Sequence, residues 1–220
     1  AHRASYWICV SEHTRTDLVK HYGVPHWRTC VVHHGIEERF RHAGQDESAV
    51  QRVRSKLGLT KRPYFLFVGS VEPKKNLPML LRAFGLALES GLQAYLAVAG
   101  RAGWQAAEVS EVAASLPILR EHLHFLGFID QEDLPPLLGG AKAMVTPSRY
   151  EGFGMPLIEA MAAGTVVLSS NRGALPEVGG DAAQFFDPDD IDGLAQLLLR
   201  IEGDLALGEN LRARGLQRAA

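Results

Sequence analysis

The sequence predicts a doubly wound α/β fold of Rossmann type, built on a parallel sheet, and three observations predict it. Short apolar runs rich in Val, Leu or Phe recur at 64–68, 94–99, 122–126, 143–146, 166–169 and 182–186, each about strand length. Helical periodicity lies between them. Leu77, Leu80, Leu81 and Phe84 follow Asn76, and Leu194, Leu197, Leu198 and Ile201 follow Asp192, which reads as a first-turn acid. The alternation repeats about six times, and parallel strands need crossovers, which helices supply while covering both sheet faces. In such sheets a ligand sits beyond the carboxyl ends of the strands, so the loops after the apolar runs are where function is expected.

The start of the chain reads differently. Residues 6–10 predict a short strand, Ser11 an N-cap for a helix through Tyr22, and Gly23-Val24-Pro25 its end. Residues 30–32 predict another short strand, His33-His34-Gly35 a turn, and 39–48 a polar stretch. Residues 1–40 are therefore expected to be the tail of a preceding domain and a linker, 41–203 the ligand-binding α/β domain, and 204–220 the start of a C-terminal helical segment. The chain begins Ala1-His2-Arg3 with no initiator Met, so a piece of a longer protein is expected.

Length and composition set bounds. With 220 residues, 46% of them hydrophobic, the chain can bury a sizeable core. Lys and Arg total 23 against 25 Asp and Glu, so nothing argues for nucleic acid as a partner. No apolar run reaches the roughly 20 residues that span a bilayer, and no basic amphipathic helix argues for a membrane surface. The two cysteines, Cys9 and Cys30, imply neither a disulfide framework nor a zinc spacing, and reduced thiols in the cytoplasm are the plain expectation.

The segment Pro147-Ser148-Arg149-Tyr150-Glu151-Gly152-Phe153-Gly154-Met155-Pro156-Leu157-Ile158-Glu159 follows the run at 143–146, which puts it at the ligand edge. Pro156 fits the first position of a helix, where its missing N–H costs nothing. Gly152 and Gly154 let the backbone approach a ligand, and the N–H groups from Gly154 to Leu157 open a helix N-terminus suited to a diphosphate. Glu151 in the loop and Glu159 one turn into the helix can face one cleft, each able to accept hydrogen bonds from neighbouring hydroxyls of a ribose or hexose. An ordinary strand-to-helix loop, or a glycosidase pair of carboxylates, are the rival readings. The second of these leaves the phosphate-type helix start unexplained.

Val68-Gly69-Ser70-Val71-Glu72-Pro73-Lys74-Lys75-Asn76 closes the first strong strand, so Lys74 and Lys75 also reach the carboxyl edge. A lysine there can hold a phosphate and stabilise a departing diphosphate, although two solvated lysines on a loop are the plainer reading. The stretch is no Walker loop, because no G-K-[ST] follows. Nine histidines invite a metal, but His33 and His34 point apart if extended, and His122 and His124 lack a third ligand nearby, so no metal site is expected. Trp104, after Gly100-Arg101-Ala102-Gly103, reads as a packing residue at a helix start rather than a stacking platform.

Taken together, these segments resemble the C-terminal domain of the family-4 retaining glycosyltransferases, whose fold is the two-domain GT-B. The resemblance is carried by Glu151 and Glu159 with seven residues between them and the Glu-Gly-Phe-Gly core, by Lys75-Asn76, and by weaker pieces in order. Those pieces are Val10-Ser11, His34-Gly35-Ile36, Gly127-Phe128-Ile129 and Gly173-Ala174-Leu175-Pro176-Glu177-Val178. The family's Arg before the lysine is Ser70 here, which leaves the phosphate clamp altered, with Lys74 or a weaker Ser70 hydrogen bond as the compensation.

The resemblance implies that residues 41–203 bind a nucleotide sugar and that the chain is the donor half of a retaining hexosyltransferase. Glu159 would hold the ribose hydroxyls and Glu151 the sugar hydroxyls. Phe153, Gly154 and Met155 would offer backbone amides, Lys75 would neutralise the diphosphate with Gly69, Ser70 and Lys74 beside it, and Gly127–Ile129 would meet the base. Glu151 and Lys75 are the implied catalytic pair, and Gly152, Pro156 and Leu157 complete the donor loop. Neither cofactor nor metal is implied. The Gly-Ser-x-Glu-Pro-x-Lys-Asn form is similar to that of bacterial mannosyltransferase-like members, which implies GDP-mannose as donor. A glycan or lipid-linked acceptor would bind an N-terminal domain outside this chain, with the whole protein cytoplasmic or peripheral at the inner membrane, and the isolated chain would transfer little. UDP-sugar-dependent transfer of glucose or GlcNAc, a non-catalytic nucleotide-sugar module and a nucleotide-sugar epimerase are the alternatives. A phosphorylase would need a late cofactor lysine, and no Lys follows Lys142.

Overall fold

The computed structural model describes residues 4–101, 103 and 106–220; the expectation for Trp104 lies outside the described residues. Six strands form one parallel sheet: β3 (Tyr64–Val68), β4 (Tyr95–Ala99), β5 (Leu123–Gly127), β6 (Ala143–Thr146), β7 (Val166–Ser170) and β8 (Ala183–Phe186). Their order is β5-β4-β3-β6-β7-β8, so the chain steps outward from β3 in one direction and then, from β6, in the other. The switch point of the sheet lies between β3 and β6, where Phe65 pairs with Ala143 and Leu66 with Met144.

The central strands β3, β4, β6 and β7 are buried on both faces while the edge strands β5 and β8 are partly exposed, and the alternation along them sorts side chains into two cores. Phe65, Phe67, Leu96, Val98 and Val145 face α3 (Leu77–Glu89) and α8 (Ile191–Gly203). Tyr64, Leu66, Ala97, Met144 and Val167 face the opposite layer, formed by α2 (Glu47–Lys56), α5 (Leu134–Gly139), α6 (Met155–Ala162) and α7 (Leu175–Gly179). The periodicity read after Asn76 is the buried stripe of α3, and Asp192 does stand in the first turn of α8, behind the Asp190 cap. The α4 helix (Ala106–Ser115) joins β4 to β5, and α9 (Leu205–Arg218) packs back on α6 and β7.

Ahead of this domain, β1 (Trp7–Cys9) and β2 (Thr29–Val31) make a separate two-stranded parallel sheet around α1 (Glu12–Tyr22). Ser11 caps α1 by accepting the Thr14 N–H, and Gly23 ends it at φ 65°. The polar stretch at 39–48 carries local structure of its own. It makes two 3-10 turns, and Asp46 then caps α2, a helix that the sequence pattern did not disclose because it buries only Val53. Among the described residues no helix is long and apolar enough to cross a membrane.

Candidate functional site

The loop after β3 is drawn tightly against the loop after β4. Gly69 donates to Ala99 O (2.9 Å) and Val71 to Arg101 O (3.1 Å). The approach tolerates no side chain at Gly100, where a Cβ would collide with the Gly69 carbonyl. A 3-10 turn, Pro73–Lys75, then reverses the chain, ending at Asn76 in the left-handed region with its side-chain amide bonded to Pro188 O. This reversal lays the Lys75 side chain over Gly69.

The loop after β6 meets it from across the switch point. Arg149 N–H donates to Lys74 O at 2.7 Å, tying the two loops together through their backbones. Lys75 Nζ then reaches Glu151 Oε1 at 2.6 Å, and Ser148 Oγ donates to the same oxygen at 2.8 Å. Only 14% of the Lys75 side chain and 11% of the Glu151 side chain are exposed, so the pair sits in partial shelter from water, where its attraction exceeds that of a surface pair.

The peptide groups of this loop are held from behind. Glu151 O accepts from Ala174 N–H (3.0 Å), and Gly152 O accepts from Ser11 Oγ (2.7 Å) and Thr14 Oγ1 (2.9 Å) at the start of α1. In a trans peptide the N–H points opposite to the C=O, so the Gly152 and Phe153 amides are turned away from these anchors. Glu177 fastens the same region. Its carboxylate accepts from Glu12 N–H and His13 N–H at the open end of α1 and meets His33 Nε2 at 2.8 Å. Burial raises the pKa of Glu177, but these amides and His33 hold it below the usual carboxylate range.

The start of α6 differs in detail from the sequence expectation. Gly154, at φ 97°, is the N-cap, and Met155 takes the first helical position, so Pro156 stands second. Leu157 N–H already donates to Gly154 O (2.9 Å) and its side chain is buried in the core. Pro156 has no N–H. The amides available to an anion here are thus those of residues 153–155 rather than a run extending to Leu157.

Glu159 lies one turn further on and half-buried. Burial pushes its carboxyl up, with Arg39 opposing and Glu37 reinforcing the shift. Arg39 in turn bonds Gln131 O (3.0 Å), in the segment after β5. Glu159 therefore sits toward the β5 side of the cleft, and no hydrogen bond or ion pair joins it to Glu151 among the described residues.

Between the ends of β3, β4 and β5 lies a slot of about 300 Å³, walled largely by apolar atoms of Val68, Ala99, Ile129 and Leu134, with Gly69 and Ser70 at its edge. Phe128, 62% exposed, stands at this slot with the Arg101 guanidinium 4.9 Å from its ring centroid. A flat ring suits such a wall. Gly127, at φ 68°, makes the turn that presents Phe128.

Ser70, at the position of the resembled family's arginine, is engaged within its own loop. Its hydroxyl donates to Glu72 Oε1 at 2.6 Å, and Lys74 Nζ lies 3.8 Å from the same carboxylate. The Ser70 hydrogen bond holds Glu72 below its ordinary range against the opposing effect of burial, with Lys74 and Lys75 adding to the lowering. Lys74 is thus turned to Glu72, while Lys75 alone pairs with Glu151.

Ser148, Glu72, Arg101 and Thr14 were given no role from the sequence, and Ser11 only that of a helix cap. Each acts through a contact made only in the folded chain. Only the Ser-Arg-Tyr-Glu adjacency could have flagged Ser148. Among the described residues no three His, Cys, Asp or Glu side chains converge as metal ligands. His122 Nδ1 meets Ala94 O, and His124 packs against the Tyr95 ring.

The fold is one Rossmann-like half of the GT-B architecture. The chain belongs to the family described as glycosyl transferases group 1, whose model matches residues 50–218. It is 32% identical over 213 residues to the O-antigen chain mannosyltransferase B of Escherichia coli, covering 96% of this chain and 55% of that protein. It is 28% identical over 220 residues to the serotype-specific mannosyltransferase WbdA of Escherichia coli, covering 99% of this chain and 27% of that one. Among solved structures, HepE of Anabaena in complex with UDP and glucose superposes with a TM-score of 0.88 at 21% identity, covering 98% of this chain and 58% of that chain. The chain thus spans about half the length of the first of these relatives, or less, and its sequence is mannosyltransferase-like.

Proposed function

We propose that this chain is the donor-binding domain of a retaining hexosyltransferase that transfers mannose from GDP-mannose to a glycan or lipid-linked acceptor. The observation that carries the proposal is the Lys75–Glu151 pair at the sheet's switch point, between the apolar slot and the α6 N-terminus. A nucleotide sugar needs those three neighbours: a wall for the base, positive charge and amides for the diphosphate, and an acceptor for sugar hydroxyls.

In the transfer, the bond between the anomeric carbon and the phosphate oxygen breaks, the acceptor hydroxyl oxygen bonds to that carbon on the same face, and the hydroxyl proton passes to the departing diphosphate. Lys75 meets the charge that grows on the departing diphosphate, aided by the amides of residues 153–155. Glu151 accepts from the sugar hydroxyls and fixes its orientation. Glu159 accepts from the ribose, and the base lies in the slot beside Phe128. No metal or cofactor is required in this scheme. Residues 1–40 would belong to a preceding domain that supplies the acceptor site, and the whole protein would work in the cytoplasm or at the inner face of the membrane.

The names of the two Escherichia coli relatives support mannose. The UDP and glucose in HepE keep UDP-sugar transfer as the second reading. Incubating the whole protein with GDP-mannose or UDP-glucose and a glycan acceptor, with the anomeric configuration of the product read by NMR, tests the proposal. An α-mannoside from the α-configured donor is expected, and inversion or exclusive use of UDP-glucose contradicts it. The isolated chain should bind donor and transfer little, and efficient transfer by it alone would sink that part.

A further inference from the structure

We infer that Ser148 is the positioning residue for Glu151: it holds one carboxylate oxygen so that the other meets the sugar of the donor. This rests on the donor-site reading above. Ser148 and Ser170 are both fully buried, at the adjacent ends of β6 and β7. Ser170 Oγ donates to the Ser148 carbonyl, which pins the Ser148 backbone from the neighbouring strand. Ser148 Oγ donates in turn to Glu151 Oε1 at 2.8 Å. A hydroxyl out of reach of water needs that acceptor, and hydrogen bonds to a charged acceptor are among the stronger ones.

Glu151 is thereby fixed at both ends. Its carbonyl accepts from Ala174 N–H, a Cβ at Gly173 would press on its backbone at 2.7 Å, and its Oε1 receives both Ser148 and Lys75. Among the described residues Oε2 has no hydrogen-bond partner, and it is the oxygen left for a ligand.

The two donors on Oε1 are not equivalent. Lys75 is a mobile point charge on a flexible stem, and a diphosphate entering the site draws it away from a single carboxylate. Ser148 has a short side chain in a packed environment and stays. Ser148 therefore keeps Glu151 aimed once the ligand has taken the lysine.

The test compares the nucleoside diphosphate with its nucleotide sugar by calorimetry, in wild type, Ser148→Ala, Glu151→Ala and the double variant. Ser148→Ala should weaken the nucleotide sugar about 10-fold and leave the nucleoside diphosphate within about 2-fold, as loss of one hydrogen bond to a charged group predicts. In the Glu151→Ala background Ser148→Ala should cost nothing further. Equal loss of both ligands would make Ser148 merely structural. No loss of either, or an additive loss in the double variant, also overturns the inference. A wild type that binds neither ligand overturns the donor-site reading itself, and the inference with it.

Discussion

Lys75 Nζ and Glu151 Oε1 lie 2.6 Å apart, joining the loop after β3 to the loop after β6 across the point where strand order reverses. Before a ligand arrives the site neutralises its own charge. A diphosphate must compete with Glu151 for Lys75, whereas a sugar recruits Glu151 as an acceptor. Glu151→Gln should therefore bind a nucleoside diphosphate about 10-fold more tightly than wild type, and Lys75→Ala at least about 100-fold more weakly, as the removal of one charge near a phosphate predicts. Calorimetry decides it, and weaker nucleoside diphosphate binding by Glu151→Gln contradicts the competition.

Burial raises the pKa of Glu159 above the usual carboxylate range. Its folded pKa exceeds the unfolded one. Its contribution to stability is therefore fully present at low pH and is lost as pH rises through the folded value. Ribose hydroxyls are better held by the ionised form, so binding should run the other way and strengthen as Glu159 ionises. Nucleoside diphosphate affinity measured from pH 5 to pH 8 should rise for wild type and lie flatter for Glu159→Gln. The preference for ribo- over 2′-deoxyribonucleotide, about 10-fold for one hydrogen bond to a charged group, should fall in that variant. An identical pH profile in both proteins would remove Glu159 from the ligand.

Ser70 and Lys74 both turn to Glu72. Glu72 is a negative charge beside the phosphate position, so Glu72→Gln should release Lys74 and tighten diphosphate binding by about 3-fold at low ionic strength, an effect that fades at 1 M salt. Ser70→Arg restores the arginine of the resembled family and should pair with Glu72 before it reaches phosphate. The double variant Ser70→Arg with Glu72→Gln should therefore bind more tightly than either single one. Additive behaviour of the two substitutions would show that the residues act separately.

Gly173, at φ 62°, lies so close to Glu151 that a Cβ there would stand 2.7 Å from both its N and its O. Gly173→Ala should shift the donor loop, abolish nucleotide-sugar binding and cost about 1–3 kcal/mol of stability from the left-handed backbone and the clash. Gly208 lies within α9, and a Cβ there meets nothing within 4 Å. Gly208→Ala should leave binding intact and stabilise the chain by roughly 0.5–1 kcal/mol. Thermal unfolding alongside calorimetry separates the two outcomes.

Much of the fold was legible because strand and helix periods are local. All six apolar runs became strands, shifted by a residue or so at their ends, and Ser11 became the cap that its hydroxyl and position suggested. The helix α2 was missed because a mostly polar decamer with one fully buried residue carries little apolar rhythm. Pro156 was displaced by one place because Gly154, free to adopt φ 97°, could cap the helix earlier. Lys75, Glu151 and Glu159 were legible as motif residues at the carboxyl edge. What the sequence withheld was how they are held. Ser148 with Ser170, Ser11 with Gly152, and Arg101 with Phe128 meet only after the strands have been ordered in the sheet. The Ser70 hydroxyl is taken by Glu72, two residues on, a contact that the sequence did not disclose.

The central claim is that the carboxyl edge around Lys75, Glu151 and Glu159 is a nucleotide-sugar site. Its most direct test is calorimetric titration of this chain with GDP, UDP, ADP, GDP-mannose and UDP-glucose, beside Lys75→Ala and Glu159→Ala. Saturable binding of GDP and GDP-mannose by wild type, lost in both variants, is the predicted result. Binding that survives both substitutions, or no binding of any of the five ligands at millimolar concentration, would contradict it.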